Sequence, residues 1–159
     1  MASWFTRLFQ SAEYNEVKPR HRKQSEQQVG SIASLDLGLD VNAAINAHMA
    51  WKKRLDDLLA SQNGRDALDP LHVCRDDQCE PGKWIHGEVA IMLSESEEYH
   101  RLRAAHADFH QAAAKVITLV QSGRDDEARE SLTTGEFARN SSRVKTELSR
   151  MYLDLGSSG

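Results

Sequence analysis

Apolar residues return at helical spacing along most of this chain, and this periodicity restricts the folds open to it. In the last such stretch, the spacings are seven, four, three and four for Phe137, Val144, Leu148, Met151 and Leu155. A stripe of this kind packs into a bundle core or takes part in a dimer contact. Nine glycines and three prolines provide few of the turns that an all-β sandwich needs. The sequence therefore predicts an all-α protein with four main amphipathic helices in a bundle.

Capping and turn residues predict where the helices begin and end. Asp40 is expected to cap the first helix, Ser94 or Ser96 the longest one, and Gly123 to end it. The predicted helices span about 40–60, 83–93, 96–122, 125–135 and 136–155. Residues 61–78 are predicted to be a loop, because they contain the turn formers Asn63-Gly64 and Asp69-Pro70.

Charge divides the 159 residues into parts. The first 35 residues contain five Lys and Arg and three Glu, whereas the whole chain has a formal net charge of −4. We interpret 1–35 as an appended segment, partly helical or flexible, 36–155 as the domain, and 156–159 as a flexible tail.

Composition also limits the partners and the compartment. An acidic chain has no overall attraction to nucleic acid, and the basic stretch 18–23 is too short to indicate such binding. No apolar run is long enough to span a membrane, and the first ten residues lack the apolar region of a signal peptide. We expect a cytoplasmic protein with reduced thiols.

Two histidines lie four residues apart in a predicted helix. This spacing places His106 and His110 on one helix face, where two imidazoles can bind one metal ion or simply form a polar face. His48 shares the stripe of Trp51 and Leu55 and should point inward, where its ring nitrogens need a metal, a carbonyl or a carboxylate as partner.

One cysteine lies at the predicted start of a helix. The helix N-terminus should lower the pKa of the Cys79 thiol, an effect that Asp76 and Asp77 oppose. Three histidines and one cysteine would complete a tetrahedral zinc site.

These elements together resemble the chemoreceptor zinc-binding (CZB) domain family. Its pattern combines a His followed three residues later by an aromatic residue, a Cys with a Gly three residues on and an aromatic two further, and a His-x-x-x-His pair. The matching residues are His48 and Trp51, then Cys79, Gly82 and Trp84, and finally His106 and His110. The resemblance covers residues 36 to about 153. Pro81 departs from it, because the family usually has a Leu-like residue there.

The resemblance implies an antiparallel four-helix bundle with a short additional helix, often a homodimer. It implies Zn²⁺ ligation by His48, Cys79, His106 and His110. Cys74 is then not a ligand, and it is either a small loop residue or a resolving thiol for oxidised Cys79. No receptor or cyclase module accompanies the domain, so we expect a stand-alone bacterial member of the family.

Other residues could orient a ligand histidine or shield the metal. His86, Asp76, Asp77 and Asp108 are candidates for the first role, although Asp108 should face away from the site. His86 is otherwise interpreted as a surface residue, His72 and His100 as solvent-facing, and His21 as part of the basic stretch, although any of these histidines could orient a ligand. Trp51 and Trp84 are interpreted as core aromatics that separate the metal from water.

The leading functional hypothesis is a regulatory zinc sensor without catalysis, in chemotaxis or cyclic-di-GMP signalling as the family implies. The signal is either zinc occupancy or oxidation of Cys79 by an oxidant such as hypochlorous acid. One alternative is a structural zinc bundle that docks to a partner. Another is a zinc hydrolase, which is disfavoured because four protein ligands leave no open position and no His-Glu-x-x-His sequence is present.

The appended segment carries an apolar patch of its own. Trp4, Phe5, Leu8 and Phe9 would share one side of a helix. We favour a helix that caps the bundle over one that docks a signalling partner, and both over membrane contact.

Overall fold

Helices account for all of the regular secondary structure in the described part of the chain. The structure is a computed structural model that describes residues 40–61 and 64–157, with side chains up to residue 153. The elements are α1 (Val41–Ala60), a 3-10 turn (Arg65–Ala67), α2 (Pro70–Val73), α3 (Glu80–His86), α4 (Val89–Met92), α5 (Glu97–Gln121), α6 (Asp125–Thr133) and α7 (Glu136–Ser157). The prediction of an all-α fold is confirmed. The expectations for segment 1–35 lie outside the described residues.

The predicted caps define the ends of the long helices. The Asp40 carboxylate accepts a hydrogen bond of 2.9 Å from the backbone N–H of Ala43 at the start of α1. Of the two candidate serines, Ser96 caps α5, since its hydroxyl accepts from the N–H of Tyr99. Gly123 takes a φ of 72° just after α5, a left-handed conformation that glycine adopts without strain. Local sequence signals therefore set these boundaries.

Four helices, α1, α5, α6 and α7, pack on one another to form the bundle. Three ion pairs show the relative direction of α5 and α7. As the residue number of the partner in α5 increases, the residue number of the partner in α7 decreases. These pairs are Lys115–Glu136, Asp108–Arg143 and Arg101–Glu147. Helices α5 and α7, which share the most extensive contact in the bundle, are therefore antiparallel.

The apolar stripes of these helices meet in one core. The predicted seam of α7 is buried from Phe137 to Met151, and Leu55 of α1 and Phe109 of α5 are fully buried against it. Burying a large apolar side chain of this kind contributes about 1.5–3 kcal/mol. His48 and His106 lie on the same stripes, so the packing that stabilises the bundle also brings both histidines inside.

The described part of the predicted loop 61–78, which is residue 61 and residues 64–78, is more ordered than predicted. Instead of a continuous loop, it contains the 3-10 turn and α2, and Asp69 caps α2 through a hydrogen bond from the N–H of Leu71. Arg65 forms a two-point ion pair with Asp125, with N–O distances of 2.6 and 2.7 Å. Two of the turn formers that suggested a loop, Gly64 and Asp69, are N-cap residues here, and contacts to α5 and α6 hold residues 64–78 in place.

Two other helix limits differ from the prediction. The expected helix at 83–93 is split, because α3 ends at His86 and α4 begins at Val89; the N–H of Gly87, the C-cap residue of α3, bonds to the carbonyl of Trp84. Helix α7 continues to Ser157, beyond the predicted start of the tail. Among the described residues, no helix combines the length and the apolar character required for a membrane span.

Candidate metal centre

Three of the predicted ligands converge between α3 and α5. The Cys79 Sγ atom lies 3.3 Å from Nε2 of His106 and 3.5 Å from Nε2 of His110. The ligand atoms of the three residues lie within 4.8 Å of one another, and all three side chains are buried. Cys79 is 27 positions from His106 and 31 positions from His110 in the sequence, and the fold brings the three together in the bundle interior.

The fourth predicted ligand, His48, lies beside this group of three. Its side chain is buried in α1, and its ring centroid is 5.3 Å from that of His106 in an edge-on arrangement. The ring also packs against Phe109, with centroids 4.8 Å apart. His48 is outside the closest cluster but borders it directly.

Backbone carbonyls set the tautomers of two histidines. A carbonyl oxygen can only accept, so the Nδ1–H of His48 donates to Ala44 and that of His110 donates to Val73, each at 2.7 Å. In the neutral ring, Nε2 then carries the lone pair. Nε2 is therefore the atom through which each of these imidazoles can bind a cation.

Cys79 is presented by the first turn of α3. It is the N-cap residue, and its Sγ atom accepts a hydrogen bond of 3.3 Å from the N–H of Gly82. Pro81 lies in that first turn, where a missing N–H leaves no helical hydrogen bond unmade. The departure from the family pattern at Pro81 therefore does not turn Cys79 away from the histidines.

Burial controls the proton affinities of the site. It raises the pKa of the Cys79 thiol to about 11, although the N–H of Gly82 opposes this rise. It also lowers the pKa values of His48 and His110 to about 4. Backbone N–H groups at the start of α3 lower the pKa of Cys79 and Asp76 raises it, both as expected, but burial has the largest effect and the net change is upward.

Asp76 is the acidic residue next to the cluster. Its Oδ2 atom lies 2.9 Å from Nε2 of His86 and 3.9 Å from Nδ1 of His106. The imidazole of His106, and then that of His86, hold the pKa of Asp76 well below its usual range. Of the other candidates, Asp77 pairs with Arg75, and Asp108 faces outward to Arg143, as expected.

The donor set and its spacing fit zinc. Bonds of about 2.3 Å to sulfur and 2.0–2.1 Å to nitrogen at tetrahedral angles separate S and N by about 3.5 Å. The two Sγ–Nε2 distances, 3.3 and 3.5 Å, are close to this separation. One thiol and two or three imidazoles are ligands that Zn²⁺ prefers. Cys79, His106 and His110 would hold the ion, and His48 borders this group.

The individual hydrogen-bond partners of His48 and His110 were not predicted from the sequence. The carbonyl partner of His48 is four residues earlier in the same helix, so it could have been named from the sequence. The carbonyl of Val73, 37 residues from His110, gave no such signal. The other cysteine, Cys74, donates its S–H to the carbonyl of Leu71 and is not part of the cluster. Trp51 is a core residue as predicted, and Trp84 packs at the edge of the core.

A family comparison agrees with this geometry. Residues 48–117 match the family model of the chemoreceptor zinc-binding domain. The matched segment begins at His48 and includes Cys79, His106 and His110. Searches of curated proteins and of solved structures found no significant match.

Proposed function

We propose that this chain, in which residues 48–117 belong to the chemoreceptor zinc-binding domain family, is a zinc-dependent regulatory protein. The observation that carries the proposal is the buried convergence of Cys79, His106 and His110 within 4.8 Å. A zinc-binding sensory domain is the reading that the family match and this cluster support together.

The proposed site has four protein ligands, His48, Cys79, His106 and His110. His48 supports this number because it is buried beside His106 and its Nδ1–H is already bonded to the carbonyl of Ala44. Four protein ligands close a tetrahedral site to substrate. We therefore propose regulation and not catalysis, in line with the regulatory character of the family.

The signal is transmitted through the first turn of α3. Cys79 is at once a ligand and the N-cap of this helix, so any change at its sulfur changes how α3 begins. Two signals could use this connection: a change in zinc level, or oxidation of Cys79. In the second, the thiolate gives two electrons to hypochlorous acid, which is reduced to chloride, and oxygen and proton remain on sulfur as a sulfenic acid. The negative charge of the ligand is lost in that step.

Metal content is the primary test. Purified protein should contain about one zinc per chain, and Cys79→Ser should contain much less or bind it more weakly. Cys74→Ser is the matched control, since Cys74 lies outside the cluster, and it should retain full zinc. A wild-type protein that stays without zinc after expression in zinc-supplemented medium would refute the proposal.

A second experiment separates the two signals. The zinc-loaded protein is titrated with hypochlorous acid while a chromogenic chelator reports released zinc, and the zinc dissociation constant is measured in parallel. Zinc release at stoichiometric oxidant, retained in Cys74→Ser, supports oxidant sensing. Resistance to oxidant together with a dissociation constant near cellular free zinc supports zinc sensing.

We also propose the setting in which the signal is used. A cytoplasmic homodimer, with a signalling partner bound through residues 1–35, in bacterial chemotaxis or cyclic-di-GMP signalling, follows from the family's properties. Light scattering with and without zinc tests the dimer. Pull-down with the full chain and with a chain lacking residues 1–30 tests the partner.

A further inference from the structure

One polar atom at the candidate metal centre has no partner. In the part of the chain that the structure describes, Nδ1 of His106 is buried without a hydrogen bond, and the residue is 0% exposed. The equivalent atoms of His48 and His110 both donate to backbone carbonyls. An unpaired buried donor or acceptor is costly, so this exception requires an explanation.

A carboxylate lies just beyond hydrogen-bonding distance of this atom. Asp76 Oδ2 lies 3.9 Å from Nδ1 of His106, which is beyond hydrogen-bonding distance, and a closure of about 1 Å would make the bond. The same oxygen is 2.9 Å from Nε2 of His86, which keeps the carboxylate next to the site. The backbone of Asp76 is also fixed, because it packs directly on Gly82.

We propose that Asp76, held in place by His86, is the positioning residue of His106, and that it directs the Nε2 lone pair of His106 toward the metal. An imidazole whose Nδ1–H donates to a carboxylate is fixed in orientation and is more basic at Nε2. Asp76 thus fixes the ring orientation of His106, as the two backbone carbonyls fix those of His48 and His110. This inference rests on the proposed zinc site.

The first arm of the test is zinc affinity. Asp76→Ala should bind zinc about 10–100-fold more weakly than wild type, at unchanged stoichiometry. Asp77→Ala is the matched control, because it makes the same change in net charge one residue away, and Asp77 pairs with Arg75. It should bind zinc within about threefold of wild type. Equal affinities of the two variants would overturn the proposal.

His86→Ala tests the hold on Asp76 without changing a carboxylate. It should weaken zinc binding less than Asp76→Ala does, and adding it to Asp76→Ala should bring no further loss. Additive losses would show that His86 acts independently and would overturn its proposed role. Circular dichroism confirms that each variant retains the helical fold.

The second arm does not need the metal. In chelator-treated protein, ¹⁵N-resolved NMR of the imidazoles should show His106 protonated at Nδ1 in wild type and in Asp77→Ala. In Asp76→Ala, the tautomer of His106 that is protonated at Nε2 should be substantially populated. An unchanged tautomer would overturn the positioning role. Absence of zinc binding in wild type would refute the proposed function, while this arm would still decide the role of Asp76.

Discussion

Gly82 packs against Asp76 so closely that a β-carbon on Gly82 would lie 1.8 Å from the Asp76 carbonyl oxygen. The same β-carbon would lie 3.2 Å from the sulfur of Cys79. Helix α3 can therefore begin where it does only with glycine at this position. The spacing of three residues between Cys79 and Gly82 is a steric requirement of the site.

Gly82→Ala should remove zinc binding. The β-carbon cannot be accommodated next to backbone atoms, so the turn that presents Cys79 must shift, and sulfur moves away from the two histidines. We also expect a loss of stability of about 1–3 kcal/mol from overpacking. Zinc content and urea unfolding of the purified variant measure both effects.

Gly123→Ala is the control for a general effect of glycine substitution. Gly123 has a φ of 72° and no atom near its potential β-carbon, so alanine there strains the backbone far from the site. This variant should lose about 1 kcal/mol of stability but keep full zinc content. Zinc retention in Gly82→Ala equal to that of Gly123→Ala would contradict the steric argument.

The metal-free protein should lose stability as the pH falls from about 6.5 toward 4. Burial lowers the pKa values of His48 and His110 to about 4, so the unfolded chain, with ordinary values near 6.5, binds more protons in this window. The free energy of unfolding therefore rises with pH there, with a total of at most about 3.4 kcal/mol per histidine. Urea unfolding in chelator at several pH values measures it. His110→Gln should flatten the curve, and a flat curve in wild type would be inconsistent with two buried neutral histidines.

Zinc binding near neutral pH should release close to one proton per ion. The pKa of the Cys79 thiol, raised to about 11 by burial, keeps it protonated, whereas the ligand form is the thiolate. His48 and His110 are already neutral at this pH and have no proton to release. Calorimetry in buffers of different ionisation enthalpy counts the proton. Release near zero would mean that Cys79 is already a thiolate before binding.

The sequence predicted those parts of the protein that depend on local or periodic patterns. The stripes of α1 and α5 placed His48 and His106 inside, and the caps Asp40 and Ser96 set the helix starts. Contacts between residues that are distant in sequence leave no local pattern from which they could be predicted. The order of residues 64–78 depends on packing against α5 and α6. The thiol pKa depends on burial from all sides, and no local motif encodes it.

The helix that carries Cys79 is held to the helix that carries His106 and His110 by Tyr99. Its hydroxyl donates a hydrogen bond of 2.8 Å to the carbonyl of Ile85, and both residues are buried. Tyr99→Phe removes this bond and should lower the free energy of unfolding by about 1–2 kcal/mol, because a buried carbonyl loses a partner. Zinc stoichiometry should remain one, and affinity should fall by no more than about tenfold, equivalent to 1.4 kcal/mol. Urea unfolding and chelator competition measure the two quantities.

Tyr152→Phe, at a residue that is 63% exposed on α7, is the matched control and should change neither. If Tyr99→Phe is as stable as Tyr152→Phe, this hydrogen bond does not contribute to holding α3 against α5.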